Sequence, residues 1–224
     1  MLREDQQSPH SLLKSPALGD FLRFALESVC TESREQVMDE TESLNRAIHE
    51  DVELFPYNPN WPAMFQGERD RLLHLFPGDF LAIEHIGSTA VPGLSAKPII
   101  DILAGVDSMS GADELMEPLC QAKYATSMEF NASLVDRRWL MRWSEGRRTH
   151  HLHLMVVGSP EWERRLAFRN ILRANTELAQ RYEKNKQLWA AEFRLDREAY
   201  TAAKADFIRE ALNHCNPASG HKIR

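Results

Sequence analysis

The chain has 224 residues, 43% hydrophobic and 27% charged, the balance of a globular protein with room for one ordinary domain and appendages. No apolar run approaches the roughly 20 residues of a membrane helix, and the start, MLREDQQSPHS, lacks a signal peptide's basic and apolar regions. The net charge of −6 is uneven: residues 1–50 carry 5 Lys/Arg against 10 Asp/Glu and the remainder 22 against 23, and so neutral a body speaks against non-specific nucleic-acid binding.

In chain order, Ser15-Pro16 reads as an N-cap and first helical position. Leu18, Phe21, Leu22, Ala25, Leu26 and Val29 then recur at helical spacing, and a second, mostly polar helix is predicted over 34–49. Residues 1–50 therefore read as a helical, partly flexible extension, with partner binding as the alternative. The body, 51–214, opens on the turn-rich PYNPNWP. A helix over 61–75 is expected to bury Trp61, Met64, Phe65, Leu72 and Leu73, and Pro77-Gly78-Asp79 ends it. Strands follow at 80–86 and 99–106, the second too short and too β-branched for a helix. Then come a helix over 110–121 and strands near 124–130, 134–143 and 151–157. Ser159-Pro160 starts a helix to about 173, and amphipathic helices are predicted over 176–194 and 197–213. Residues 215–224 read as a flexible tail. Strands first and helices last give an α+β layout around a mixed sheet. Cys30, Cys120 and Cys215 are odd in number and lack CxxC spacing, which fits a reducing, cytoplasmic setting rather than a disulfide framework.

Four constellations carry candidate chemistry. In the loop GSTAVPGLSAKP, Gly87 and Gly93 permit close approach of a ligand to main-chain N–H groups. Ser88 and Thr89 offer hydroxyls and Lys97 a point charge for phosphate. The Walker and GxGxxG patterns are absent, so a tight turn stiffened by Pro92 and Pro98 is the structural alternative. Asp101 stands inside Ile99-Ile100-Asp101-Ile102-Leu103, where an unpaired carboxylate would cost several kcal/mol; it needs a cation, a metal or strong donors. In THHLHLMVV, His151 and His153 share one strand face by the period of two, a metal or phosphate site unless core polar groups satisfy both rings. Arg165, Arg169 and Arg173 recur at i, i+4, i+8, which reads first as a solvated face and second as a phosphate contact. Tyr200 and Lys204 form a weaker pair of the same spacing, and Arg137, Arg138, Arg142, Arg147 and Arg148 form a local basic patch.

IEHIGSTAVPGLSAKPIIDI, THHLHLMVVGSPEW, FRNILRAN and YTAAKADFI together resemble the GrpB family, a domain also found fused to dephospho-CoA kinase. The likeness covers about residues 52–213. That family is in turn similar to the nucleotidyltransferases, in which a Gly-Ser turn follows one strand and metal-binding carboxylates lie on the next. The resemblance implies a nucleotidyltransferase-like mixed sheet with flanking helices and a helical C-terminal part. It also implies transfer of a nucleotidyl or phosphoryl group to a small acceptor. Gly87, Ser88, Thr89, Lys97, Arg137 and Arg169 would bind phosphate. Asp101, His151 and His153 would hold a divalent metal, Mg²⁺ by that likeness, and His153 would be a ligand or general base. One departure stands out: nucleotidyltransferases pair two carboxylates one residue apart, whereas Ile99 and Leu103 flank Asp101. A non-catalytic module binding a nucleotide or CoA-like metabolite, and a metal-dependent hydrolase, are the alternatives.

Overall fold

The computed structural model describes residues 53–215. The helices expected before residue 50, and the tail at 216–224, lie outside them. The body begins with helix α1 (Trp61–Leu75), started by Pro62, whose fixed φ and missing N–H suit a first turn. Strand β1 (Ala82–Ile86) and strand β2 (Ile100–Val106) follow. Next come α2 (Met109–Glu114), α3 (Met116–Gln121), β3 (Tyr124–Ala125), α4 (Met128–Ala132), β4 (Arg138–Ser144) and β5 (Arg147–Val156). Helices α5 (Pro160–Ala174), α6 (Thr176–Glu192) and α7 (Arg197–Cys215) complete it. Among the described residues no helix is long and apolar enough to cross a membrane.

The five strands form one mixed sheet in the order β1-β2-β5-β4-β3. Only β2 and β5 run parallel; the other pairs are antiparallel. Alternation along the strands separates two faces. Ile100, Ile102, Ala104, Val106, Leu140, Leu152 and Leu154 join Trp61, Leu72 and Leu119 in the main core. The opposite face carries a smaller cluster, Ile86, Leu103, Met155 and Trp162, and it is this face that holds Asp101, His151 and His153. A third cluster joins Val91 and Leu94 of the 87–99 loop to Leu172, Tyr182, Phe207 and Ala211 of the C-terminal helices. The loop is thus held from behind by those helices.

The structure corrects the sequence reading in several elements; β4 begins at Arg138 rather than 134 and β5 at Arg147 rather than 151, pairing through Ser144 and Arg147. The strand expected over 124–130 is only Tyr124–Ala125. Ser127 Oγ accepts from Phe130 N at 3.1 Å and caps α4 instead, an Ncap contact that competes with strand pairing. The helix expected over 110–121 breaks at Leu115, because Pro118 cannot donate to residue 114 and its ring crowds that carbonyl. In α1, Met64 is exposed and Glu68 is buried. Glu68 is tolerated inside because Arg71, Arg142 and the Tyr124 hydroxyl all bond its carboxylate.

Candidate metal and phosphate site

Register brings the candidate residues together. Ile86 pairs with Asp101, so the chain leaves β1 at Gly87 directly beside the Asp101 carboxylate. On the other side of β2, Asp101 pairs with His151 and Leu103 with His153, which sets both imidazoles on the face of Asp101. One potential ligand atom from each of Asp101, His151 and His153 lies within 4.8 Å of the others. The Asp101 side chain is 29% exposed and that of His151 14%, so the group sits in a wall open to solvent.

Asp101 Oδ1 lies 2.9 Å from His151 Nδ1. A carboxylate only accepts, so Nδ1 carries the hydrogen, and in the neutral ring Nε2 offers its lone pair. Burial pushes the Asp101 carboxyl up, but the His151 hydrogen bond and the charges of His151, His153 and Lys204 outweigh it and hold the group at about 2. Burial, reinforced by Arg165 and opposed by Asp101, lowers His153 well below its ordinary value and keeps it neutral at pH 7. Its Nδ1 is buried without a hydrogen-bond partner, an arrangement that costs free energy unless something else satisfies it. An ionised carboxylate at Asp101 and a neutral imidazole at His153 are protonation states that metal binding requires.

The phosphate candidates divide. Ser88 follows Gly87 at the start of the short turn after β1, close enough to the Tyr182 hydroxyl to bear on its protonation. Arg137 borders it, since its charge bears on His153, Glu161 and Arg165. Thr89 is an internal strut: its buried hydroxyl bonds Ile99 O at 3.3 Å and His85 Nε2 at 3.0 Å. His85 itself lies on the main-core face and stacks on Phe65. Lys97 lies further along the loop, beside the Phe55–Ala96 bridge; the lysine whose charge bears on Asp101 is Lys204. Arg169 is committed to structure, donating from Nη1 to Glu84 at 2.6 Å and to His85 O at 2.9 Å. Arg165 bonds Glu161 at 3.0 Å and Arg173 bonds Ala90 O at 2.8 Å. The stripe expected in solvent therefore faces the sheet and its loop.

Three residues escaped the sequence reading. Tyr182 packs against Phe168 and Phe207 while reaching Ser88, and its i+4 neighbour Lys186 lies over its ring at 5.1 Å. Lys186 is buried, lowered to about 8 by that burial against the pull of Glu183, and bonds Ser95 O and Glu183. Trp139, beside His151 at a ring separation of 5.4 Å, is the third; alternation with Leu140 was its signal. A cavity of about 390 Å³ lies behind the loop, lined by Tyr57, His85, Val91, Leu172 and Arg173. None of Asp101, His151 and His153 lines it.

The model of the family described as "GrpB protein" matches residues 51–214. The chain belongs to the GrpB family. This GrpB chain is 35% identical over 160 residues to the UPF0157 protein YqkA of Bacillus subtilis, an alignment covering 71% of this chain and 46% of YqkA. It is 33% identical to a dephospho-CoA kinase of Mycolicibacterium paratuberculosis, with 71% of this chain and 45% of that protein aligned. The GrpB chain thus spans less than half the length of either. The crystal structure of conserved protein GrpB from Enterococcus faecalis superposes with a TM-score of 0.63 at 34% identity, covering 72% of this chain and 98% of that one. The nucleotidyltransferase-like fold, a five-stranded mixed sheet with flanking helices, is the one expected of GrpB.

Proposed function

We propose that this GrpB chain binds a nucleoside triphosphate with one divalent metal ion at Asp101, His151 and His153, and transfers its nucleotidyl or phosphoryl group to a small acceptor. The observation that carries this reading is the convergence of Asp101, His151 and His153 on one sheet face, ligand atoms within 4.8 Å, with Gly87 of the Gly87-Ser88 turn packed against the Asp101 carboxylate. Main-chain N–H groups of the turn and the Ser88 hydroxyl hold phosphate oxygens, and Arg137 offsets their charge. Asp101 fixes the tautomer of His151, and burial keeps His153 a neutral donor. When bound, the metal polarises a phosphoryl oxygen as a Lewis acid.

The donor set narrows the metal. Mg²⁺ prefers oxygen ligands, whereas two imidazoles and a carboxylate suit Mn²⁺, Fe²⁺ or Zn²⁺. Leu103, wholly buried, stands where the second carboxylate of a two-metal pair would be, and Glu84 beside it in register is neutralised by Arg169. That observation favours a second reading, nucleotide binding without turnover.

Asp101→Asn tests both. Asparagine keeps an acceptor for His151 Nδ1–H and removes the charge. A metal-binding Asp101 predicts a stability change of about 1 kcal/mol or less, with loss of the stabilisation that nucleotide and metal give together. A purely structural ion pair predicts a cost of about 3–5 kcal/mol with nucleotide binding intact. Elemental analysis and thermal shifts with Mg²⁺, Mn²⁺ and Zn²⁺, each with and without ATP, read the outcome, and product formation separates transfer from binding alone.

A further inference from the structure

The site face continues past the histidines into aromatic side chains. Leu140 is buried in the main core, so Trp139, its neighbour in β4, projects from the other face. There it pairs in register with His153. Its ring lies 5.4 Å from that of His151, tilted by 58°. Phe130 of α4 meets Trp139 edge-on at 5.4 Å and 75°, and Phe130 is 42% exposed. Backbone bonds fix this corner: Trp139 N donates to Asn131 Oδ1 at 2.7 Å, and Asn131 Nδ2 donates back to Trp139 O at 2.9 Å.

The sheet order sets these groups in a row. Gly87 follows β1, Asp101 is on β2, the histidines on β5 and Trp139 on β4. With strands about 4.8 Å apart, the phosphate turn and Trp139 stand roughly 14 Å apart, with the metal group between them. An anion-holding turn, then metal ligands, then a π face is the order in which an extended nucleotide presents γ-phosphate, inner phosphates and base. Arg137, two residues before Trp139, supplies cationic charge on the same flank.

We propose that Trp139, edged by Phe130, is a stacking platform for the base of a nucleotide whose phosphates lie at Gly87 and Ser88. The platform deepens the nucleotide reading above and rests on it for the placement of the phosphates. Stacking tolerates any base, because every base has a π face, so affinity differs little among the four nucleoside triphosphates.

Binding of ATP, adenosine and tripolyphosphate, each with Mn²⁺, to wild type, Trp139→Leu and Trp139→Phe tests this. Tryptophan fluorescence and calorimetry give the affinities, and circular dichroism verifies the fold. The platform predicts that wild type binds ATP more tightly than tripolyphosphate. Trp139→Leu weakens ATP by roughly 5- to 150-fold, leaves tripolyphosphate unchanged, and Trp139→Phe recovers much of the loss. Equal weakening of ATP and tripolyphosphate in Trp139→Leu, or no weakening of either, overturns the platform and leaves the metal–phosphate reading standing. Adenosine bound in a Trp139-dependent way, with neither phosphate ligand bound, overturns the phosphate placement and with it the nucleotide platform, leaving only a base-stacking contact at Trp139. If wild type binds none of the three, both fall.

Discussion

Gly87 has φ of +74°, and a Cβ added there would lie 2.2 Å from Asp101 Oδ2, so backbone angle and space both exclude a side chain. The carboxylate can occupy its position beside His151 only because residue 87 is glycine. Gly93, in the same loop, also has positive φ, +82°, but open space where a Cβ would stand. The pair separates strain from crowding. Gly93→Ala and Gly87→Ala should each cost about 1–3 kcal/mol in urea unfolding for the backbone angle alone. Only Gly87→Ala should also displace Asp101 and abolish Mn²⁺ binding in a metal titration. A Gly87→Ala protein that binds Mn²⁺ as tightly as wild type would show that the Asp101 position is not what holds the ion.

Among the elements, α5 does most to place the loop and the edge strand. Arg169 bonds Glu84 and His85 O on β1, and Arg173 bonds Ala90 O, so one helix face closes two segments that share no ladder with it. Arg169→Met keeps the apolar stem and removes the bonds. With the Glu84 side chain 39% exposed, the ion pair is partly screened, and a loss of about 1–2 kcal/mol is expected. Arg173→Met should cost less than about 1 kcal/mol, since a single bond to an exposed guanidinium is lost. Equal stability of Arg169→Met and wild type in urea would return the stripe to the status of a solvated face. The i, i+4, i+8 spacing was legible in the sequence, but the direction it faces was not, because the partners of Arg169 and Arg173 lie 83 to 85 residues away. The same distinction runs through the fold. Long periodic segments such as α1 and α5 to α7 could be read to within a few residues, and His151 and His153 could be placed on one strand face from the period of two; that Asp101 shares that face could not. What local pattern could not supply was the long-range arrangement: the register that sets Gly87 beside Asp101, and the helix packing that brings Tyr182 to Ser88. The strand misread over 124–130 failed for a related reason: Asn131 saturates the backbone of Trp139 and Ser127 caps a helix in place of a longer β3.

For the molecule as a whole, the buried histidines of both sheet faces and the hydrogen-bonded Asp101 respond to acid in different pH windows. On the main-core face, His85 is held neutral chiefly by burial, with Arg173, Arg169 and His150 adding to the lowering and Asp101 opposing it, to about 4. In the unfolded chain the ring titrates near its ordinary value of about 6.5. Between those values the unfolded state binds the proton first, so stability falls as pH drops from about 6.5 to about 4 and this loss is complete below that. The full shift corresponds to at most about 3–4 kcal/mol. Asp101, lowered to about 2, acts in a separate window: its contribution is present above about 3.8 and is lost as pH falls through about 2. His150, also lowered to about 4 by burial, shares the upper window. His85→Phe keeps the stack on Phe65 and deletes one of the upper-window titrations. Urea midpoints at pH 7, 6, 5 and 4.5 should therefore fall for wild type and fall less steeply for His85→Phe, whatever the variant loses at pH 7 by giving up the Thr89 bond. The slope is the deciding quantity. Parallel curves for the two proteins would mean that His85 titrates alike in the folded and unfolded chains, and that its burial against Phe65 does not hold it neutral.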